Sequence, residues 1–214
     1  MHKKDSKNNF IVTSTLHLMK RGQYVTSIYF MEGSNMNLFF RMLIIIFSAR
    51  KQDAVALVNK RSDGFRVWLH DLGWRDHLPN YRVFSFMELG RFGIWHSSRL
   101  ALSGRYGLRM IAAQDFVYLK PIRPFQAFTM TTEILSWDEK YFYYQHLFFC
   151  GDKLVAIGLV KEIALKSGKA VTPLSLLTAD SALNGSVIDS SDDKALHPVV
   201  ENWLAMQKAI KENT

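Results

Sequence analysis

From Asn80 to Leu100 the chain reads NYRVFSFMELGRFGIWHSSRL. Val83, Phe86, Met87, Gly90 and Ile94 recur every three or four residues, so one face of a helix is apolar and has to be buried. Pro79 suits the first turn of that helix, since its missing N–H would have had no partner there. Gly90 and Gly93 each cost about 1 kcal/mol of helix propensity, which points to close packing on a sheet. The strands of that sheet lie downstream of the helix. Strand-like stretches occupy about 109–119, 125–137, 140–150 and 153–166. Ser103-Gly104 and Gly107 mark a loop before the first of them. Trp137-Asp138-Glu139-Lys140 and Cys150-Gly151-Asp152-Lys153 are turn-like separators, so the last three strands form an antiparallel meander. Upstream, residues 64–70 alternate, with Phe65, Val67 and Leu69 on one face and Arg66, Trp68 and His70 on the other, which predicts a further strand. The pattern is an α+β domain with a long helix, from about Asn80 to Leu100, on a five-stranded antiparallel sheet.

The flanks differ in character. Residues 1–35 are polar and basic, and they are expected to be a partly disordered N-terminal extension. Residues 37–50 form an apolar helix ending in bases. The run LFFRMLIIIF is interrupted by Arg41 and falls short of the roughly 20 apolar residues of a membrane span, so it reads as a core or interfacial helix. Residues 36–180 make up the domain. Residues 181–196 are rich in Ser, Asp, Asn and Gly and read as a linker, and a final helix over 198–211 carries Trp203.

The 214 residues are 48% hydrophobic, enough for a sizeable core, and carry a net charge of +8. That charge favours anionic partners: a membrane surface or a phosphorylated ligand. The bases are scattered and no RNA- or DNA-binding motif is present, so no nucleic acid partner is expected. One cysteine, Cys150, makes no internal disulfide and reads as a small buried hydrophobe. A cytoplasmic protein is expected, with peripheral membrane contact through residues 37–50. No metal-ligand spacing and no GxGxxG or P-loop pattern occurs, so neither a metal nor a nucleotide cofactor is expected.

The chemistry-bearing residues cluster where the predicted strand meets the helix. Asp71, Asp76, His77 and Asn80 fall within ten residues and lead into a helix N-terminus, where free N–H groups and the helix dipole favour negative charge. Acyl transfer needs carbonyl polarisation, an activated water and a place for the acyl chain. The backbone amides of Asn80, Tyr81 and Arg82 are candidates for the first, because Pro79 has no N–H. His77, with Asp71 or Asp76, is the candidate for the second. The bland alternatives are turn bonding for Asp71 and Asn80 and a helix cap for Asp76. Asp115 is a weaker candidate on a strand, and Lys120, Arg123 and Lys161 are candidates for phosphate contact.

The same residues carry a family resemblance. Asp71-Leu72-Gly73-Trp74-Arg75-Asp76-His77-Leu78-Pro79-Asn80, followed by Glu88-Leu89-Gly90-Arg91, resembles the D-x-D-x-x-x-H-x-N-N start of the hotdog-fold thioesterases. Residues 120–161 are similar to the strand region of proteins related to thioesterase superfamily member six. The likeness covers roughly residues 36–176. It departs at Gly73, where the family pattern has its second Asp, at Arg75, and at Pro79. The resemblance implies a hotdog domain, a homodimer with an acyl groove at the subunit interface, and hydrolysis of an acyl-CoA or acyl carrier protein thioester. Asp71, His77 and Asp76 would be catalytic, and Asn80, Tyr81 and Arg82 would bind substrate. The Gly73 substitution keeps a second class open: a hotdog protein that binds acyl-CoA or lipid without cleaving it.

Overall fold

In the computed structural model the apolar stripe lies on helix α3, Asn80–Ser97, with Val83, Phe86, Met87 and Ile94 all buried. In chain order the elements are α1 (Gly33–Lys51), β1 (Arg61–Arg66), α2 (Leu69–Leu72), α3, β2 (Leu108–Tyr118), β3 (Ala127–Trp137), β4 (Tyr141–Cys150), β5 (Lys153–Lys166), β6 (Lys169–Val171), α4 (Pro173–Asn184) and α5 (Pro198–Glu212). The structure describes residues 33–51, 56–98, 100, 108–184 and 196–213, and all of them belong to one compact unit. The predicted extension over 1–35, the loop at 103–107 and most of the 181–196 linker lie outside the described residues.

The sheet is antiparallel throughout, in the order β1-β3-β4-β5-β2, with β6 added beside β5. It curls around α3, which is the hotdog arrangement. Gly90 and Gly93 are needed for that approach. A Cβ at Gly90 would collide with Thr132 and Met130 of β3, and one at Gly93 would lie 2.6 Å from Nε of Arg61 on β1. Phe65, Phe86, Phe128 and Phe148 stack between helix and sheet with ring centroids 5.0 to 5.9 Å apart. The aromatic run of β4 serves both faces of the sheet. Phe142 and Tyr144 meet Trp95 of α3, while Tyr143 packs with Val200 and Trp203 of α5.

The core also holds a polar network. Arg91 Nε donates to Glu162 at 2.9 Å, and Tyr144 donates to the same carboxylate at 3.2 Å. His146 bridges Thr132 and Arg91 at 3.0 and 3.4 Å. Arg91 must donate, so His146 Nε2 accepts and Nδ1 carries the proton that goes to Thr132. Burial and the Arg91 charge hold His146 well below the usual histidine value.

Four expectations change. The first strand is Arg61–Arg66 rather than 64–70, and Leu69 is exposed on the short helix α2. The cause is the Asp71 carboxylate, which accepts the Trp68 N–H at 2.9 Å and folds the chain into a turn. The central helix ends at Ser97, where the Ser98 N–H returns to Ile94 O and the Ser98 hydroxyl to Trp95 O. A sixth strand, β6, joins the sheet. Residues 181–184, read as the start of a linker, instead end helix α4, which is held in part by Asp180 accepting the Leu57 N–H at 2.8 Å.

Candidate active site

The connection from β1 to α3 is anchored by Asp71. Its side chain is fully buried, and Oδ2 accepts from Arg41 Nη2 at 2.7 Å as well as from the Trp68 amide. Oδ1 lies 3.5 Å from Arg82 Nε. Arg41 and Arg82 also donate to the carbonyls of Arg66 and His70, so α1, the Trp68 turn and the first turn of α3 are tied at one point. Gly73 then leaves α2 at φ +61°, ψ −119°, a conformation open in practice only to glycine. The chain is then tied to the connection between β2 and β3 through the Leu78 N–H, which donates to Ile122 O at 2.8 Å. Pro79 starts α3, and no side chain caps the helix.

A pocket of about 270 Å³ opens between the start of α3 and β2. Leu78, Val83, Phe116, Ile122 and Ala156 give it apolar walls, and His77, Asn80 and Lys120 are its polar lining. His77 Nδ1 and Asp76 Oδ1 are 2.7 Å apart. That hydrogen bond, with smaller help from the charge of Arg123, holds the Asp76 carboxyl below its usual value. The contact fixes the tautomer: a carboxylate accepts, so Nδ1 carries hydrogen and Nε2 is left as a base. The N–H groups of Asn80 and Tyr81 have no acceptor among the described residues, whereas those of Arg82 and Val83 donate to Pro79 O at 3.0 and 3.3 Å. The amides available at the helix N-terminus are therefore two, not the three expected.

The structure thus brings His77 and Asn80 together at one pocket, and Asp76, outside the lining and in water, is bonded to His77. Tyr81 is exposed on the first turn, its hydroxyl 3.2 Å from where a Cβ on Gly73 would lie. Asp71 and Arg82 are not among the pocket-lining residues; they face each other in the buried anchor. Asp115 is exposed on β2, and its carboxylate accepts the Phe116 N–H. Of the three candidate phosphate contacts, Lys120 lines the pocket, and Arg123 is exposed close enough to act on Asp76. Lys161 stands over the rings of Tyr141 and Tyr143, on the α5 side of the sheet. Burial raises the Cys150 thiol above its usual value, the opposite of what a nucleophilic thiolate needs. Among the described residues no three His, Cys, Asp or Glu side chains are grouped to hold a metal ion. Sequence reading missed Arg41, which looked like an interruption of an apolar run. Its signal was faint: one base within an apolar helix.

The thioesterase-like superfamily matches residues 67–184, more than half of the chain, from the Trp68 turn through α3 and strands β2 to β6 to α4. The chain belongs to that superfamily. Relatives include a probable thioesterase of Saccharomyces cerevisiae, 26% identical over 122 residues, which are 55% of this chain and 53% of that protein. Protein THEM6 of Xenopus laevis is 28% identical over 113 residues, 51% of this chain and 55% of its own length. The chain therefore spans about half the length of the curated relatives it matches. Two solved structures share the fold. One is a hypothetical protein of Aquifex aeolicus, with a TM-score of 0.51 and 18% identity over 56% of this chain and 98% of that one. The other is the YbaW probable thioesterase of Escherichia coli, with a TM-score of 0.50 and 19% identity over 59% and 98%. The matched residues include strands β2 to β6, α3 and every residue that lines the pocket.

Proposed function

We propose that this protein hydrolyses acyl-CoA thioesters at the His77 pocket. The observation that carries the reading is a His–Asp pair at the lip of an apolar pocket, beside an uncapped helix N-terminus. The acyl group lies against Val83, Phe116 and Ile122, and its carbonyl oxygen faces the Asn80 and Tyr81 amides. His77 Nε2 takes a proton from water as the water oxygen bonds to the carbonyl carbon. The oxyanion is stabilised at the two amides and the α3 dipole. Collapse breaks the C–S bond, and His77 returns the proton to the leaving thiolate. Asp76 holds the imidazole in the working tautomer. Lys120 and Arg123 lie where the phosphates of coenzyme A or of an acyl carrier protein would reach. Asp71 is a positioning residue here, since its carboxylate is taken up by Arg41, Trp68 and Arg82.

The test is free-thiol release from a panel of acyl-CoAs. His77→Ala should lower kcat by roughly 100-fold with thermal stability unchanged. A folded His77→Ala protein with full activity overturns the assignment. One observation favours a second reading, an acyl-CoA-binding protein without turnover. Gly73 stands where the family pattern has a carboxylate, and the remaining motif carboxylate, Asp71, is engaged in ion pairs. Saturable acyl-CoA binding with no thiol release on any chain length would decide for it.

A homodimer is part of the proposal. β2 is the last strand of the sheet and exposes Leu108, Met110, Ile111, Val117 and Tyr118. An edge strand of eleven residues with that surface invites pairing, and Tyr118 would bring the seam to the pocket wall. Light scattering should give twice 24.7 kDa at micromolar protein, and a monomer would refute it.

A further inference from the structure

Helix α1 is apolar on both sides. Leu38, Met42, Ile45 and Ala49, spaced by four, three and four, make the side that packs inward. Phe40, Ile44 and Phe47 lie half a turn away around the helix and are 54%, 67% and 58% exposed. Phe39 is exposed next to them, its ring 6.1 Å from that of Phe40. A helix on the surface of a globular domain normally turns polar residues outward, so this face calls for an occupant.

The surface continues beyond the helix. Ile44, Arg66 and Trp68 line one shallow cavity, and the Trp68 ring meets Phe125 edge-on at 6.2 Å. Leu69 and Trp74 are exposed on the same segment. Phe125 is held at φ +60°, which a bulky L residue adopts only under constraint. The constraints are its N–H on Val67 O and the Arg66 guanidinium on its carbonyl. That strain leaves the ring half in water, so burial in this chain does not offset it.

The charges name the occupant. The α1 sequence contains no acid, and Arg41 is taken up by Asp71, so the charge of this face comes from the segments beside the helix. Arg66, Arg75 and Arg123 are exposed around Trp68, Trp74 and Phe125, and Arg75 lies over the Trp74 ring at 4.8 Å. Asp63 and Asp71 are paired with Arg61 and Arg41, and the one exposed carboxylate there, Asp76 beside His77, is outnumbered by the three arginines. Bulky apolar side chains, tryptophans and a surplus of arginines match the interfacial layer of an anionic bilayer. No helix among the described residues is long and apolar enough to cross a membrane.

We infer that this face docks on the surface of an anionic phospholipid bilayer, with α1 lying in the interface and Trp68 and Phe125 at headgroup depth. The segments that carry Trp68 and Phe125 also supply His77 and Lys120 to the pocket, so docking sets the pocket beside the layer where acyl amphiphiles collect. The inference rests on the exposed face and stands apart from whether the pocket is hydrolytic.

Vesicle flotation of the full chain tests it. Vesicles with about 30% phosphatidylserine should carry the protein at least tenfold better than phosphatidylcholine alone, and about 0.5 M salt should abolish the difference. Binding should blue-shift tryptophan emission. Phe40→Ser/Ile44→Ser/Phe47→Ser should lower partitioning by roughly 30-fold or more, with near-ultraviolet circular dichroism unchanged. Should that variant misfold, Arg75→Glu/Arg123→Glu decides, with roughly a 30-fold loss expected on the anionic vesicles alone. Absence of wild-type flotation on either vesicle overturns the inference, as does equal binding by a folded variant. It is also overturned if the wild type ignores vesicles and the apolar variant turns a dimer into a monomer, since a second copy is then the occupant.

Discussion

Asp71→Asn separates a structural anchor from a catalytic group. The native carboxylate has no exposed surface and serves Arg41 at 2.7 Å, the Trp68 amide at 2.9 Å and Arg82 at 3.5 Å. Those two arginine side chains are only 11% and 5% exposed, so water does little to replace the lost charge. Removing one partner of a buried ion pair costs about 3–5 kcal/mol. Asn keeps one acceptor oxygen, which puts the expected loss near the low end, about 3 kcal/mol. For a chain of this size that is a Tm drop of roughly 6–12 °C. Thermal unfolding reads the loss, and thiol release well below both Tm values reads the chemistry. The variant should keep activity per folded molecule within about tenfold of wild type, because His77 and Asn80 remain at the pocket. A cycle with Arg41→Met should return a coupling of about 1–3 kcal/mol. If Asp71→Asn instead keeps its Tm and loses kcat by 100-fold or more, the carboxylate takes part in the chemistry and the anchor argument fails.

The backbone at Gly73 and the buried His146 give two further tests. Gly73→Asp restores the family carboxylate but places a side chain at φ +61° against the Tyr81 hydroxyl. It should cost about 1–3 kcal/mol, matched by Gly73→Ala, with no gain in rate; a tenfold faster enzyme would refute this. Between pH 7 and 5 the protein should lose about 2 kcal/mol of stability through His146. Its folded pKa is depressed, so the unfolded chain takes up the proton near pH 6.5 while the folded one resists it. His146→Gln can keep both hydrogen bonds and should flatten that slope; an unchanged slope, read by urea unfolding at each pH, would exclude His146 as the cause.

The fold was legible because its signals are long. The α3 stripe persists along the helix, with glycines where it meets β1 and β3, and three strands are divided by turn chemistry at Asp138 and Gly151. Short signals failed. The Val67–His70 alternation looked like the end of a strand because nothing in the sequence says that the Asp71 side chain will capture the Trp68 amide. β6 has three residues, too few for a period. The polar core was hidden for a different reason. Arg91, His146 and Glu162 each look like surface residues, and their burial becomes favourable only when all three are placed together with Tyr144 and Thr132.

The candidate site was legible as a cluster of residues but not in how its carboxylates are placed. Residue type and spacing put Asp71, Asp76, His77 and Asn80 within ten residues, yet they left the chemistry open between the carboxylates of Asp71 and Asp76. Burial sorts them differently. A carboxylate without exposed surface and with two arginines beside it is suited to hold the loop. A carboxylate in water, bonded to an imidazole at a pocket lip, is suited to orient a base. Gly73 belongs to the first task as well. Its positive φ turns the chain out of the Asp71 anchor and delivers His77 to the pocket, so in this chain the position reserved for a second carboxylate has become part of the geometry that aims the histidine.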